Sequence, residues 1–145
     1  MSNVLLEYVW LDGYKTQNLR SKVKVVSYGD VKTNYGGNLE VRSIPEWNFD
    51  GSSTGQAPGN NSECVLVPAR VYQWDSDHYI VLCEVYDGNG SPHPTNNRAN
   101  LRQLSNDYMS HVFWWGFEQE YFITKDFKPL GFPENGYPKP QGLYY

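Results

Sequence analysis

Cysteine is scarce in this chain: only Cys64 and Cys83 occur among 145 residues. They stand far apart, in the strand-like stretches "SECVLVPA" and "YIVLCEVY". A structural zinc site needs more ligands at closer spacing. A disulfide framework is equally out of place in a chain whose expected compartment is the cytoplasm. Buried free thiols are the expectation. Positive charge is also short: 12 Lys and Arg against 16 Asp and Glu give a net charge of −4. That balance offers no electrostatic case for nucleic acid or an anionic membrane as partner. No apolar run reaches the length of a membrane-spanning helix. The opening "MSNVLLEYVWLDG" has no basic stretch and carries Glu7 early, so no signal peptide is expected. Without one, the acceptor pattern "NNS" at 60–62 carries little weight.

Hydrophobic residues amount to only 39%, but aromatics reach 16%, with 12 Tyr and 5 Trp. Each aromatic buries a large area, so a core is feasible. The first half reads as strands. "VLLEYVWLD" (4–12) is extended and apolar; "KVKVVSYGD" (22–30) alternates lysine with valine, the period of a half-exposed strand. "CVLVPARVYQW" (64–74) and "HYIVLCEVYD" (78–87) are the firmest strands. "GGNLEVRSIPEWNFDGSS" starts as a short strand and becomes a loop. "FDGSSTGQAPGNN" (49–61) is dense in turn formers, and loops this long are commonly functional or disordered.

A turn-rich linker, "GNGSPHPTNN" (88–97), precedes a change of pattern. Leu101, Leu104, Tyr108 and Val112 then share one face of a helix expected over 97–112, capped by Thr95 or Asn96. A domain boundary is placed near residue 92. The helix runs into "WWGFEQEYFI" (114–123), which reads as a strand placing Glu118 and Glu120 on one face, roughly 7 Å apart. Buried carboxylates need cations or a metal, whereas an exposed strand face would simply leave both solvated. Asp50 and Ser53 likewise stand open between a plain Asp-Gly turn and a functional loop. Trp114 is either a core aromatic or a stacking platform. The chain stops on Leu143, Tyr144 and Tyr145; such an apolar ending reads as a truncation.

Six segments resemble glutamine synthetase of the shorter type found in eukaryotes and some bacteria. They are "LRSKVKVV" (19–26), "WNFDGSSTGQAPG" (47–59), "VLCEVYDGNGSPHPTN" (81–96), "NRANLRQL" (97–104), "GFEQEYF" (116–122) and "GYPKPQGLYY" (136–145). They occur in that family's order, and the resemblance runs along essentially the whole chain, from residue 19 to 145 in these segments. The resemblance implies an α+β fold: a β-grasp domain over 1–91, then over 92–145 the opening helix and strand of the catalytic domain. It implies ATP-dependent joining of ammonia to glutamate through γ-glutamyl phosphate, in a ring oligomer whose active sites lie between neighbouring subunits. Glu118 and Glu120 match the family's first pair of ligands to Mg²⁺ or Mn²⁺. Asp50 matches the residue that binds ammonium and accepts its proton, with Ser53 beside it in the same loop. Trp114 matches a tryptophan near the nucleotide. Lys139 and Leu143 depart from the family's glycine and proline, and His78, His93 and His111 match no ligand, so these three are read as surface or linker histidines.

The family's remaining ligands and arginines would lie beyond Tyr145, so the chain by itself is expected to be inactive. Two other readings stay open at this point. One is a short, non-catalytic synthetase-like protein that binds or modulates an oligomer. The other is a β-rich binding module using exposed tryptophans.

Overall fold

Alternation along the first strand sets the core. β1 (Asn3–Leu11) buries Val4, Leu6, Tyr8 and Trp10 on one face, while the intervening residues turn to the other. The structure is a computed structural model and describes residues 2–133. β2 (Leu19–Ser27) returns antiparallel to β1, from Val4 opposite Val26 to Leu11 opposite Leu19. β3 (Trp47–Asp50) and β4 (Glu63–Gln73) form an antiparallel pair. β5 (His78–Asp87) lies antiparallel to β4 and parallel to β1. The order is β2-β1-β5-β4-β3. The β4–β5 register slips between Pro68 and Arg70, where proline has no N–H to give to the ladder.

The sheet curls until its two edge strands touch. Lys22 Nζ donates to Asn48 O at 2.9 Å and sits 3.4 Å from the centre of the Trp47 ring. Inside the curl, Tyr8 meets Trp47 edge-on at 5.3 Å and Trp10 packs on Phe49 at 4.8 Å. Cys64, Leu66, Tyr79, Val81, Cys83 and Val85 add β4 and β5 to the core, and Val31, Leu39 and Ile44 close it from the β2–β3 connection. The Tyr8 hydroxyl donates to Pro45 O at 2.6 Å; burial, then the neighbouring Cys83, pushes its pKa up. Cys64 and Cys83 are buried and free, as expected; burial raises both thiols, Cys83 to about 12.

Three expectations need correction here. β2 spans 19–27, not 22–30, and its lysines rather than its valines lie on the core side. Lys24 and Lys22 stand opposite the buried Leu6 and Tyr8, while Val23 and Val25 are exposed. Lysine stems cover the core's edge and their ammonium groups reach the Trp47 ring; burial and then Lys24 lower the Lys22 pKa. Second, Trp47–Asp50 is a strand, not the start of a loop. Four residues with Asn and Asp carry no strand signal of their own, and β4 supplies the ladder. Third, the helix is shorter. α1 (Asn97–Asp107) gives way to a 3₁₀ turn at Met109–His111, and Val112 has φ of 49°, which a β-branched residue rarely adopts.

Asn96 caps α1, its side chain accepting from Ala99 N at 3.1 Å. The expected apolar face is not what docks the helix. Leu101, Leu104, Tyr108 and Val112 are exposed. Polar contacts hold α1 to β5 instead: buried Glu84 accepts from Arg102 at 2.8 Å on both oxygens and pairs with Arg98 at 3.3 Å. Asn96 Nδ2 also donates to Val85 O at 2.9 Å.

Contacts divide the chain into a unit Met1–Met109 and a unit Ser110–Tyr145. In the second, the strand expected over 114–123 does not form. A two-residue hairpin is present, β6 (Thr124–Lys125) with β7 (Lys128–Pro129). Its turn residues Asp126 and Phe127 both have positive φ, as a tight hairpin of this length requires. Among the described residues no strand lies beside 114–123, and a strand exists only by its ladder.

Candidate active site

The loop after β3 is built from its first residue. Asp50 is exposed, and its carboxylate accepts from Ser52 N at 2.9 Å and Ser52 Oγ at 2.6 Å. These bonds, the hydroxyl's first, hold the Asp50 pKa below the ordinary carboxylate value, with Ser62 adding to the effect. Ser53 Oγ donates to Asp50 O at 2.9 Å. Both residues expected from the loop motif therefore stand together, Ser53 within the 3₁₀ turn Gly51–Thr54 and Asp50 as its N-cap. The arrangement is an Asp-led turn, and it also presents an ionised carboxylate to solvent.

The rest of the loop is pinned from beneath. Gly13 N donates to Thr54 O at 2.9 Å, and the approach is so close that a Cβ on Gly13 would lie 2.3 Å from Gly55 O. Gly55 itself takes φ of 67°, ending the turn. Gln56 is buried and fully used: its N–H donates to Gly51 O at 2.8 Å. Its side-chain oxygen accepts from Thr54 Oγ1 at 2.8 Å, and its side-chain nitrogen donates to Leu11 O at 3.1 Å and Thr95 Oγ1 at 3.2 Å.

His93 is not a surface histidine; it is 9% exposed and bonded at both nitrogens. Thr95 N–H points at Nδ1 from 3.1 Å, so Nδ1 accepts and Nε2 carries the proton, donating to Gln56 O at 2.6 Å. Gly13 is in turn fixed by Asp12, which is fully buried in the β1–β2 turn. Burial works to raise the Asp12 pKa, but bonds from Asn18 N–H, Arg20, Tyr14 N–H and the Asn18 side chain outweigh it and hold it low.

The sequence offered Thr95 as a helix cap and His93 as a surface or linker residue, and assigned Gln56 no role; the bonds that join the three were not expected. The bonds that join Gln56 to His93, Thr95 and Leu11 span 37 to 45 residues, so no local spacing betrays them. The signal available was weak: polar residues recurring inside two Gly- and Pro-rich loops.

Glu118, Glu120 and Trp114 lie in the second unit, and all three are exposed. Trp114 is 95% exposed, so it is not a core tryptophan within this unit. The two glutamates are hard oxygen donors, suited in kind to Mg²⁺ or Mn²⁺. They are too few by themselves: among the described residues no group of three or more His, Cys, Asp or Glu could hold a metal ion. The motif at 136–145 lies outside the described residues.

No protein-family model matches the chain. Individual relatives do. A glutamine synthetase of Bradyrhizobium diazoefficiens is 44% identical over 149 aligned residues, covering 100% of this chain and 40% of the relative. One of Emericella nidulans is 40% identical, covering 99% and 38%. The cytosolic isozyme 1-2 of Oryza sativa is 40% identical, covering 98% and 39%. The chain spans about two-fifths of the length of the curated relatives it matches. By sequence, then, its relationship is with the glutamine synthetases, along the whole of this chain and a part of theirs.

Proposed function

We propose that the chain is the N-terminal part of a glutamine synthetase that forms glutamine from glutamate, ammonia and ATP. Residues 1–91 serve as a β-grasp domain and 92–145 open the catalytic domain. The whole-chain identity to glutamine synthetases carries this reading. What supports the role of the loop is chemistry: Asp50 is exposed and its pKa is held low. An ionised carboxylate can stabilise ammonium and take its proton as the amine attacks. In an oligomer of like subunits, that loop reaches a neighbour's catalytic domain. Ser53 braces the Asp50 backbone.

Glu118 and Glu120 would hold a divalent cation together with ligands supplied outside the described residues. The ion's contribution when bound is to neutralise charge on the phosphates of ATP. Trp114 offers an exposed ring for stacking on the nucleotide. Among the described residues no helix is long and apolar enough to cross a membrane. The Oryza relative is named a cytosolic isozyme, and the cytoplasm is proposed here too.

The test is a chimera in which this chain replaces the matching two-fifths of the Bradyrhizobium relative. A folded chimera should make glutamine with ATP, and Asp50→Ala should reduce kcat by about 100-fold or more, the scale of a lost general base. A folded, assembled chimera without activity would overturn the reading.

A further inference from the structure

We infer that Gln56, His93 and Thr95 form a strut that positions the Asp50 loop, with His93 acting through Gln56. The path is continuous. The His93 Nε2–H holds Gln56 O at 2.6 Å. Gln56 N–H holds Gly51 O at 2.8 Å, and Gly51 directly follows Asp50. Thr95 closes a second route: its hydroxyl sits 2.8 Å from His93 Nδ1 and accepts from Gln56 Nε2 at 3.2 Å. All of these groups are buried or partly so, and an unmade bond among buried groups is costly, so the arrangement is held in one state.

The strut also has a far end. Thr95 precedes Asn96, whose side chain caps α1 and donates to Val85 O. The position of the Asp50 loop is thereby tied to the start of α1 rather than to β3 and β4 alone. His93 touches no reacting group and is a positioning residue. Its importance for catalysis rests on the role proposed for Asp50; its effect on the loop does not.

The experiment is NMR on the ¹⁵N-labelled 145-residue chain. The Ser52 amide donates to the Asp50 carboxylate and therefore reports that group's titration. The groups facing Asp50 are Ser52, Ser62, Glu63 across the β3–β4 ladder and the Cys64 thiol. In the parent chain the His93 ring nitrogens should show the Nε2–H form, and Asp50 should titrate below the ordinary range. In His93→Ala the Ser52 amide should lose its downfield shift and the Asp50 midpoint should rise. His93→Gln keeps an N–H donor for Gln56 O and should restore both.

An unchanged Ser52 amide and Asp50 midpoint in a folded His93→Ala chain would overturn the inference, as would the Nδ1–H form in the parent. Should His93→Ala lose the sheet's dispersed spectrum, Thr95→Val decides instead. It removes one hydroxyl from the strut, and a moved midpoint supports the inference while an unmoved one overturns it. None of these readouts involves ammonium, ATP or turnover. An inactive chimera alongside a moved midpoint would therefore reject the function and keep the strut.

Discussion

Residues 3–87 and residues 112–123 are both rich in large apolar side chains, yet they end in opposite states. In the first stretch Leu6, Tyr8, Leu66 and Val81 are sealed from solvent. In the second, Phe113, Trp114, Trp115, Phe117, Tyr121, Phe122 and Ile123 are all exposed. Composition does not separate them; partners do. Each strand of the five-stranded sheet has a ladder on at least one side, whereas 114–123 has none among the described residues. Strand formation is a property of pairs, and a run can carry the strand pattern without having what makes it a strand.

The largest expected effect separates the two stretches by a pair of truncations. Leu66→Ala should cost about 2–5 kcal/mol, the range for a core leucine that leaves a cavity. Phe117→Ala should stay within about 0.5 kcal/mol. Chemical denaturation followed by circular dichroism measures both. Equal losses would mean that 114–123 is packed after all.

A smaller effect tests whether α1 belongs with the sheet. Arg102 donates to both oxygens of Glu84, whose side chain is 1% exposed. Arg102→Ala should cost about 2 kcal/mol, the scale of a lost bond to a buried charge with Arg98 left as partner. Leu104→Ala, on the exposed face, should cost far less. The reverse ranking would show that the apolar face docks the helix.

The smallest effects appear on changing pH. The pKa values of Asp12 and Asp50 are held low in the fold. They therefore contribute stability above the ordinary carboxylate value, and it is lost as pH falls through their depressed values. The Cys64 and Cys83 thiols are raised. Their contribution is present below the ordinary thiol value and fades as pH rises, for Cys83 towards about 12. Thermal melts across pH should thus fall at both ends. Asp12→Asn should flatten the acid limb of the first unit, and an acid limb unchanged by it would contradict the assignment.

Four of the sheet's five strands were legible because each alternates or runs apolar over nine residues or more. β3 was not, because its four residues take their conformation from β4. The alternation in β2 did not say which face is buried, because lysine can lie against a core by its stem, which a two-letter polar and apolar pattern cannot express. The α1 stripe was legible as a helix but not as a docking surface; the anchors are Arg98 and Arg102, charged residues with no local signal, and Asn96, legible only as a cap. At the site, Asp50 and Ser53 were placed together because four residues of one turn carry them. The buried pairing of Gln56 with His93 spans 37 residues and depends on the sheet having closed.

Under the proposed function, this chain holds a formed Asp50 loop, and Glu118 and Glu120 would supply only part of a metal site. The most direct measurement is glutamine formation by the purified 145-residue chain with glutamate, ammonia, ATP and Mg²⁺, beside its Glu118→Ala variant. No glutamine above the variant's background is expected. Glutamine formed by the parent and abolished by the substitution would contradict this, since the chain would then carry a complete site.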